Sequence, residues 1–127
     1  MLPFAIQIVV GGPIAEQVIY AVKRAVVSGN LRAGDPFPSV RQLSRELRFN
    51  PTPAHRVMAA LVEQGVLIST PTVGTVVSGI APGSRQERSA LLGHEMERFV
   101  VEAKRIGIPL EHMQQALVKH WRELGKE

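Results

Sequence analysis

Apolar residues recur at helical spacing in five stretches of this chain and form short β-prone runs in three others. From Pro13 onward, Ile14, Val18, Ala21, Val22, Ala25 and Val26 trace one face of a first helix. Pro13 suits its first turn, where a missing N–H costs nothing. Gly29-Asn30 stops the helix with residues that tolerate a left-handed backbone. Leu31 to Pro38 is rich in turn formers. Ser39 then has the character of an N-cap, with Gln42 three residues later to complete a capping box. Val40, Leu43 and Leu47 mark the buried face of a short second helix and leave Arg41, Arg45 and Arg48 off it. Asn50 is a second cap, Pro51 a first helical residue. Ala54, Val57, Met58, Leu61 and Val62 are the buried stripe of a third helix that Gly65 closes.

The β-prone runs are Pro3 to Val10, ended by Gly11-Gly12, then Val66-Leu67-Ile68 and Thr75-Val76-Val77. Between the last two, Ser69 to Gly74 suits a hairpin tip. Helix, helix, turn, helix, hairpin is the order of a winged helix-turn-helix. Ser78 to Gly83 reads as a linker. A second capping box, Ser84 with Glu87, starts a helix carrying Leu91, Leu92, Met96, Phe99, Val100 and Ala103. Gly107 ends it. Pro109 opens another, with Leu110, Met113, Leu117, Trp121 and Leu124. Two such helices alone bury little of their apolar stripes and need the first module or a second copy of themselves. The predicted fold is therefore mainly α with a small β-wing. A winged helix-turn-helix over residues 1–78 is followed by a linker, 79–83, and a two-helix segment, 84–127.

Composition narrows the chemistry. With no cysteine among 127 residues, disulfide scaffolds, thiol nucleophiles and Cys-ligated metals are excluded. No phosphate-cradling GxxxxGK[ST] and no paired-His metal motif is present, and His94, His112 and His120 are too far apart to suggest one. An enzyme, a metal and a cofactor are therefore not expected. Hydrophobic residues make up 45%, enough for a real core, yet no apolar run approaches a membrane span and no signal peptide is visible. A cytoplasmic protein without membrane contact is the expectation. The net charge of +4 is modest, but its distribution is not even. Residues 1–80 hold seven basic and four acidic residues; residues 81–127 hold eight and seven. A lean basic module thus precedes a nearly balanced one, the pattern of solvated helix faces.

The segment from Pro13 to Val77, with Ser28-Gly29-Asn30-Leu31, Gly34-Asp35, Pro38-Ser39-Val40-Arg41 and Asn50-Pro51, resembles the DNA-binding domain of the GntR family of bacterial transcriptional regulators. The short C-terminal part is similar to the YtrA subfamily. That resemblance implies a homodimer held by the C-terminal helices, with Leu92, Met96, Phe99, Val100, Met113, Leu117 and Trp121 at the interface. It also implies double-stranded DNA as partner, and a repressor acting on a nearby operon, often one for an ABC transporter. The C-terminal part is too short for a large ligand domain; an unidentified small-molecule effector would sit between its helices and the DNA-binding module.

The same resemblance implies the DNA-binding residues. Arg41 contacts the backbone and groove, Ser39 caps its helix and reaches a phosphate, and Asn50 and Thr52 start the recognition helix. Arg56 lies further along it, and Gly74 and Thr75 belong to the wing. The chemistry of the positions adds to this. The start of the second helix of the pair enters the major groove, so Thr52, His55 and Arg56 lie nearest the bases. Arg56 suits guanine O6 and N7, while His55 faces a base or a phosphate. Arg45 and Arg48 join Arg41 as backbone clamps. Three departures from the family stand out: Arg48 where the turn usually has Gly, Pro53 where Thr is usual, and a wing, Pro71 to Thr75, without arginine. The unarmed wing and Pro53 support the alternative of a winged-helix protein-interaction module.

Overall fold

The computed structural model describes residues 2–6, 9, 11–48, 51–79 and 82–125, with the side chains of Pro51 and Thr52 left aside. The chain divides into two compact units, Met1–Ile80 and Ala81–Glu127. The first is built on α1 (Ile14–Val27), α2 (Val40–Leu47), α3 (Pro51–Glu63) and the antiparallel pair β1 (Leu67–Thr70) and β2 (Gly74–Val77).

The helical periodicities translate directly into burial. On α1, Ala15, Val18, Ala21, Val22, Ala25 and Val26 face inward. Leu43 of α2 and Ala54, Val57 and Leu61 of α3 are fully enclosed. Leu67 and Val77, which pair across the hairpin, close the core from the wing side. Buried aliphatic side chains of this size each contribute about 1.5–3 kcal/mol of transfer free energy. Val62, expected in the stripe, is instead exposed. It follows Leu61 by about 100° around the helix, beyond the face that Ala54, Val57 and Leu61 define.

Two expectations about strands change. Among the described residues of 3–10 there is no strand. Phe4 leaves the chain there to stack on Phe37, ring centroids 5.8 Å apart. Gln17 holds Val9 by both backbone groups: its Oε1 accepts from the Val9 N–H at 2.7 Å, and its Nε2 donates to the Val9 carbonyl at 3.1 Å. A side-chain amide has taken the place of a partner strand. The hairpin, in contrast, is longer than expected, leaving a tip of three residues, 71–73. Thr70 explains this: its Oγ1 donates to the Gly74 carbonyl at 2.7 Å and accepts from the Val73 N–H at 3.2 Å. Gly74, at φ +86, supplies the left-handed residue this closure requires.

The loop before α2 is pinned to the wing by a single bridge. Val77 N–H donates to the Asp35 carbonyl at 2.8 Å, and Phe37 N–H donates to the Thr75 carbonyl at 2.9 Å, bracketing a bridge between Pro36 and Val76. At that position the residue's own N–H points away from β2, so proline is tolerated.

The second unit contains α4 (Arg85–Ala90), a π-turn (Leu91–Glu95) and α5 (Met96–Arg105) in one unbroken run, then α6 (Leu110–Leu124). Its N-terminal box is complete: Ser84 Oγ accepts from the Glu87 N–H at 3.0 Å, and Glu87 Oε1 accepts from the Ser84 N–H at 2.9 Å. The π-turn, unexpected from the pattern, contains Gly93, and its extra residue offsets the face before it from the face after it. Among the described residues of this unit, Ala103 alone is buried.

Candidate nucleic-acid interface

Helix α2 starts because Ser39 Oγ accepts from the Gln42 N–H at 3.2 Å, the forward half of a capping box. With Leu43 pinned in the core, α2 has one orientation about its axis, and Arg41 and Arg45 emerge one turn apart on its exposed side. Arg48 is the C-cap and takes the left-handed conformation, φ 56 and ψ 46, as the departure from glycine at this turn requires. It is the one non-glycine residue with positive φ among those described. Such a residue costs on the order of 1 kcal/mol relative to glycine. Its side chain is exposed.

Helix α3 begins at Pro51, where the absent N–H is harmless. Asn50 lies outside the described residues, and Thr52 is placed by its backbone in the first turn. Ala54, Val57 and Leu61 fix the buried side, which sends His55 and Arg56 to the exposed surface about 100° apart. His55 leans toward α2. It lines a shallow concavity of about 520 Å³ together with Val40, Arg41, Ser44 and Arg45. Arg56 is not among the residues lining it. Val40, expected on the buried face of α2, and Ser44, not singled out from sequence, complete that wall; the available signal for Ser44 was its place four residues after Val40 and three after Arg41. Among the described residues, no carboxylate forms an ion pair with Arg41, Arg45, Arg48 or Arg56. The ion pairs of the second unit, Arg98–Glu95 and Arg105–Glu102, show the contrast.

The wing brings Gly74 and Thr75 to the start of β2. Thr75 is half-buried and its carbonyl accepts from Phe37, so it is occupied in bracing the wing. The tip carries Pro71, Thr72 and Val73, with Val73 71% exposed and no cation. On the second unit, Leu92, Met96, Phe99, Leu117 and Trp121 are exposed, while Val100 and Met113 are half-buried. Leu91, Leu110 and Val118 extend that apolar surface. Among the described residues, no group of three or more His, Asp or Glu side chains stands close enough to hold a metal, and no helix is long and apolar enough to cross a membrane.

Three helices, a braced two-stranded wing and exposed arginines on the second and third helices define a winged helix-turn-helix of the nucleic-acid-binding class. The sequence profile of the bacterial regulatory proteins of the gntR family matches residues 14–77, and the chain belongs to that family. It is a DNA-binding transcriptional regulator and not an enzyme. The chain is similar to the HTH-type transcriptional repressor YtrA of Bacillus subtilis, 26% identical over 102 residues that cover 80% of this chain and 78% of that one. A GntR family transcriptional regulator from Listeria monocytogenes superposes with a TM-score of 0.65 at 26% identity, over 88% of this chain and 98% of that chain. A second structure from that organism, described as a transcriptional antiterminator, superposes with a TM-score of 0.85 over 94% and 92% of the two chains. At 20% identity, that likeness concerns the fold alone.

Proposed function

We propose that this regulator is a cytoplasmic homodimeric repressor that binds a pseudo-palindromic operator. The observation that carries the DNA face is the set of side chains Arg41, Arg45, His55 and Arg56, exposed on α2 and α3 and, among the described residues, without an ion pair. Arg41 and Arg45 clamp the phosphate backbone from α2, with Ser39 at its N-terminus and Arg48 at the turn. Arg56, with Thr52, reads bases from α3; a guanidinium matches guanine O6 and N7 bidentately. Gly74 and Thr75 shape the wing, whose uncharged tip gives it little grip on phosphate.

The dimer is supported by the second unit. Leu92, Met96, Phe99, Val100, Met113, Leu117 and Trp121 present apolar surface with little of it enclosed, and a second copy is the occupant that two-fold symmetry offers. Repression is supported by the similarity to the YtrA repressor, and the resemblance to that subfamily points to a nearby operon for an ABC transporter. The protein-interaction alternative would need a contiguous apolar patch on α3, whereas its exposed side includes His55, Arg56 and Glu63.

An electrophoretic mobility assay with the DNA upstream of the protein's own gene tests the proposal. A discrete shift by a dimer, competed by the same sequence and not by unrelated DNA, is expected. Failure to shift any inverted repeat in that region at low salt would overturn it.

A further inference from the structure

The N-terminal segment is tied down at two places. Phe4 is buried in the core and stacks on Phe37, also buried, with the rings 5.8 Å apart and 2° from parallel. Leu2 and Ile6 pack against the core on either side of it. Further on, the Gln17 amide holds both backbone groups of Val9. Phe37 is in turn fixed to the wing, its N–H donating to the Thr75 carbonyl at 2.9 Å. Two residues later Ser39 caps α2, and two beyond that Arg41 leaves its first turn.

Helix α2 has eight residues and encloses one of them fully, Leu43. Val40 and Leu47 are only half-buried. The tilt of so short a helix therefore depends on the chain that enters it, which is Phe37 followed by the buried Pro38. We infer that Phe4 is a positioning residue for DNA binding: through its stack on Phe37 it sets the tilt at which α2 presents Arg41 to a backbone phosphate. The inference rests on the reading of Arg41 as a phosphate clamp given above. Phe4 itself is enclosed and touches no DNA. A charge-assisted hydrogen bond is short and directional, so a guanidinium presented at the wrong angle forfeits its phosphate and the counterion release that goes with it. Without the Phe4 ring, Phe37 keeps its backbone bond to β2 but loses the flat surface packed on its side chain, and the entry to α2 loosens.

The test measures binding of the full chain to a fluorescent mixed-sequence duplex over a series of salt concentrations. Arg41→Ala is expected to lower the slope of log K against log salt by about 1. Phe4→Ala, shown to be folded by circular dichroism at the assay temperature, should lower it comparably. Adding Phe4→Ala to Arg41→Ala should lower it no further, because both remove the same contact. Loss of stability alone withdraws molecules from the binding pool without changing the slope of those that remain. Val18→Ala, which empties a fully enclosed site on α1, supplies that control and should keep the wild-type slope. Phe4→Leu keeps much of the apolar bulk without the ring; it replaces Phe4→Ala if that variant does not fold, and its slope should also be shallower than wild type. A folded Phe4 variant with the wild-type slope overturns the inference and leaves Phe4 as core filling. So does a Val18→Ala slope that falls equally, or a double variant whose slope falls by about 2, since Phe4 then acts on some other contact. An unchanged slope for Arg41→Ala overturns the clamp reading itself, and the inference with it.

Discussion

The two units of this chain use similar residues to opposite ends. In the first, Leu43, Leu61, Leu67, Val18, Val22, Val57 and Val77 are all but sealed from solvent. In the second, Phe99 and Trp121 are 64% and 65% exposed, and Ala103 alone is buried among the described residues. Their charges are reversed in the same way. The second unit pairs Arg98 and Arg105 with carboxylates three residues away, whereas Arg41, Arg45 and Arg56 of the first form no ion pair among the described residues. A self-contained core with unspent cations suits a module that meets a polyanion. Paired charges around open apolar faces suit one that meets its own kind.

The contrast can be tested from its largest consequence downward. Leu61→Ala should cost about 2–5 kcal/mol of stability, because it empties a fully enclosed site; urea unfolding measures it, and a loss below that range would mean the core is looser than its burial implies. Trp121→Glu should leave the first unit folded but shift the protein to monomers. A hot-spot residue of this type is worth about 2 kcal/mol or more, and sedimentation at several concentrations reads the change. An unchanged dimer would place the interface elsewhere.

Arg41→Ala and Arg56→Ala should then separate two kinds of contact. The first weakens binding to every sequence and lowers the slope of log K against log salt by about 1. The second costs about 1–3 kcal/mol at one base pair and relaxes preference there. Identical behaviour of the two variants would contradict the separate placement of Arg41, in the concavity between α2 and α3, and Arg56, outside it. Smallest of all, Arg48→Gly should raise thermal stability by about 1 kcal/mol through relief of its left-handed backbone while slightly weakening DNA binding. A loss of stability would show that the arginine side chain holds the turn.

Much of this was legible in the residues. The stripes on α1, α2 and α3, both serine caps and the left-handed turn at Arg48 follow from local rules of spacing and capping that the chain obeys. What escaped depends on partners distant in sequence. Pro3 to Val10 has strand-like composition, but nothing in it reveals that Gln17 will bind Val9 and Phe37 will claim Phe4. Asp35 to Phe37 reads as a loop and is one, but nothing local reveals that Asp35 and Phe37 will hydrogen-bond to β2 on either side of Pro36. For the site, the residue types were readable, whereas the meeting of His55 with Arg41 and Arg45 required the packing of α3 on α2. The π-turn at Leu91–Glu95 had only Gly93 to announce it.

The stretch from Asp35 to Ser39 carries a mechanical consequence. Hydrogen bonds clamp Asp35 and Phe37 to β2, and two residues later Ser39 caps α2. No slack separates wing from helix, so a displacement of one drags the other. Wing and α2 therefore behave as the two ends of one short lever, their spacing set by the chain that joins them and not by whatever they meet.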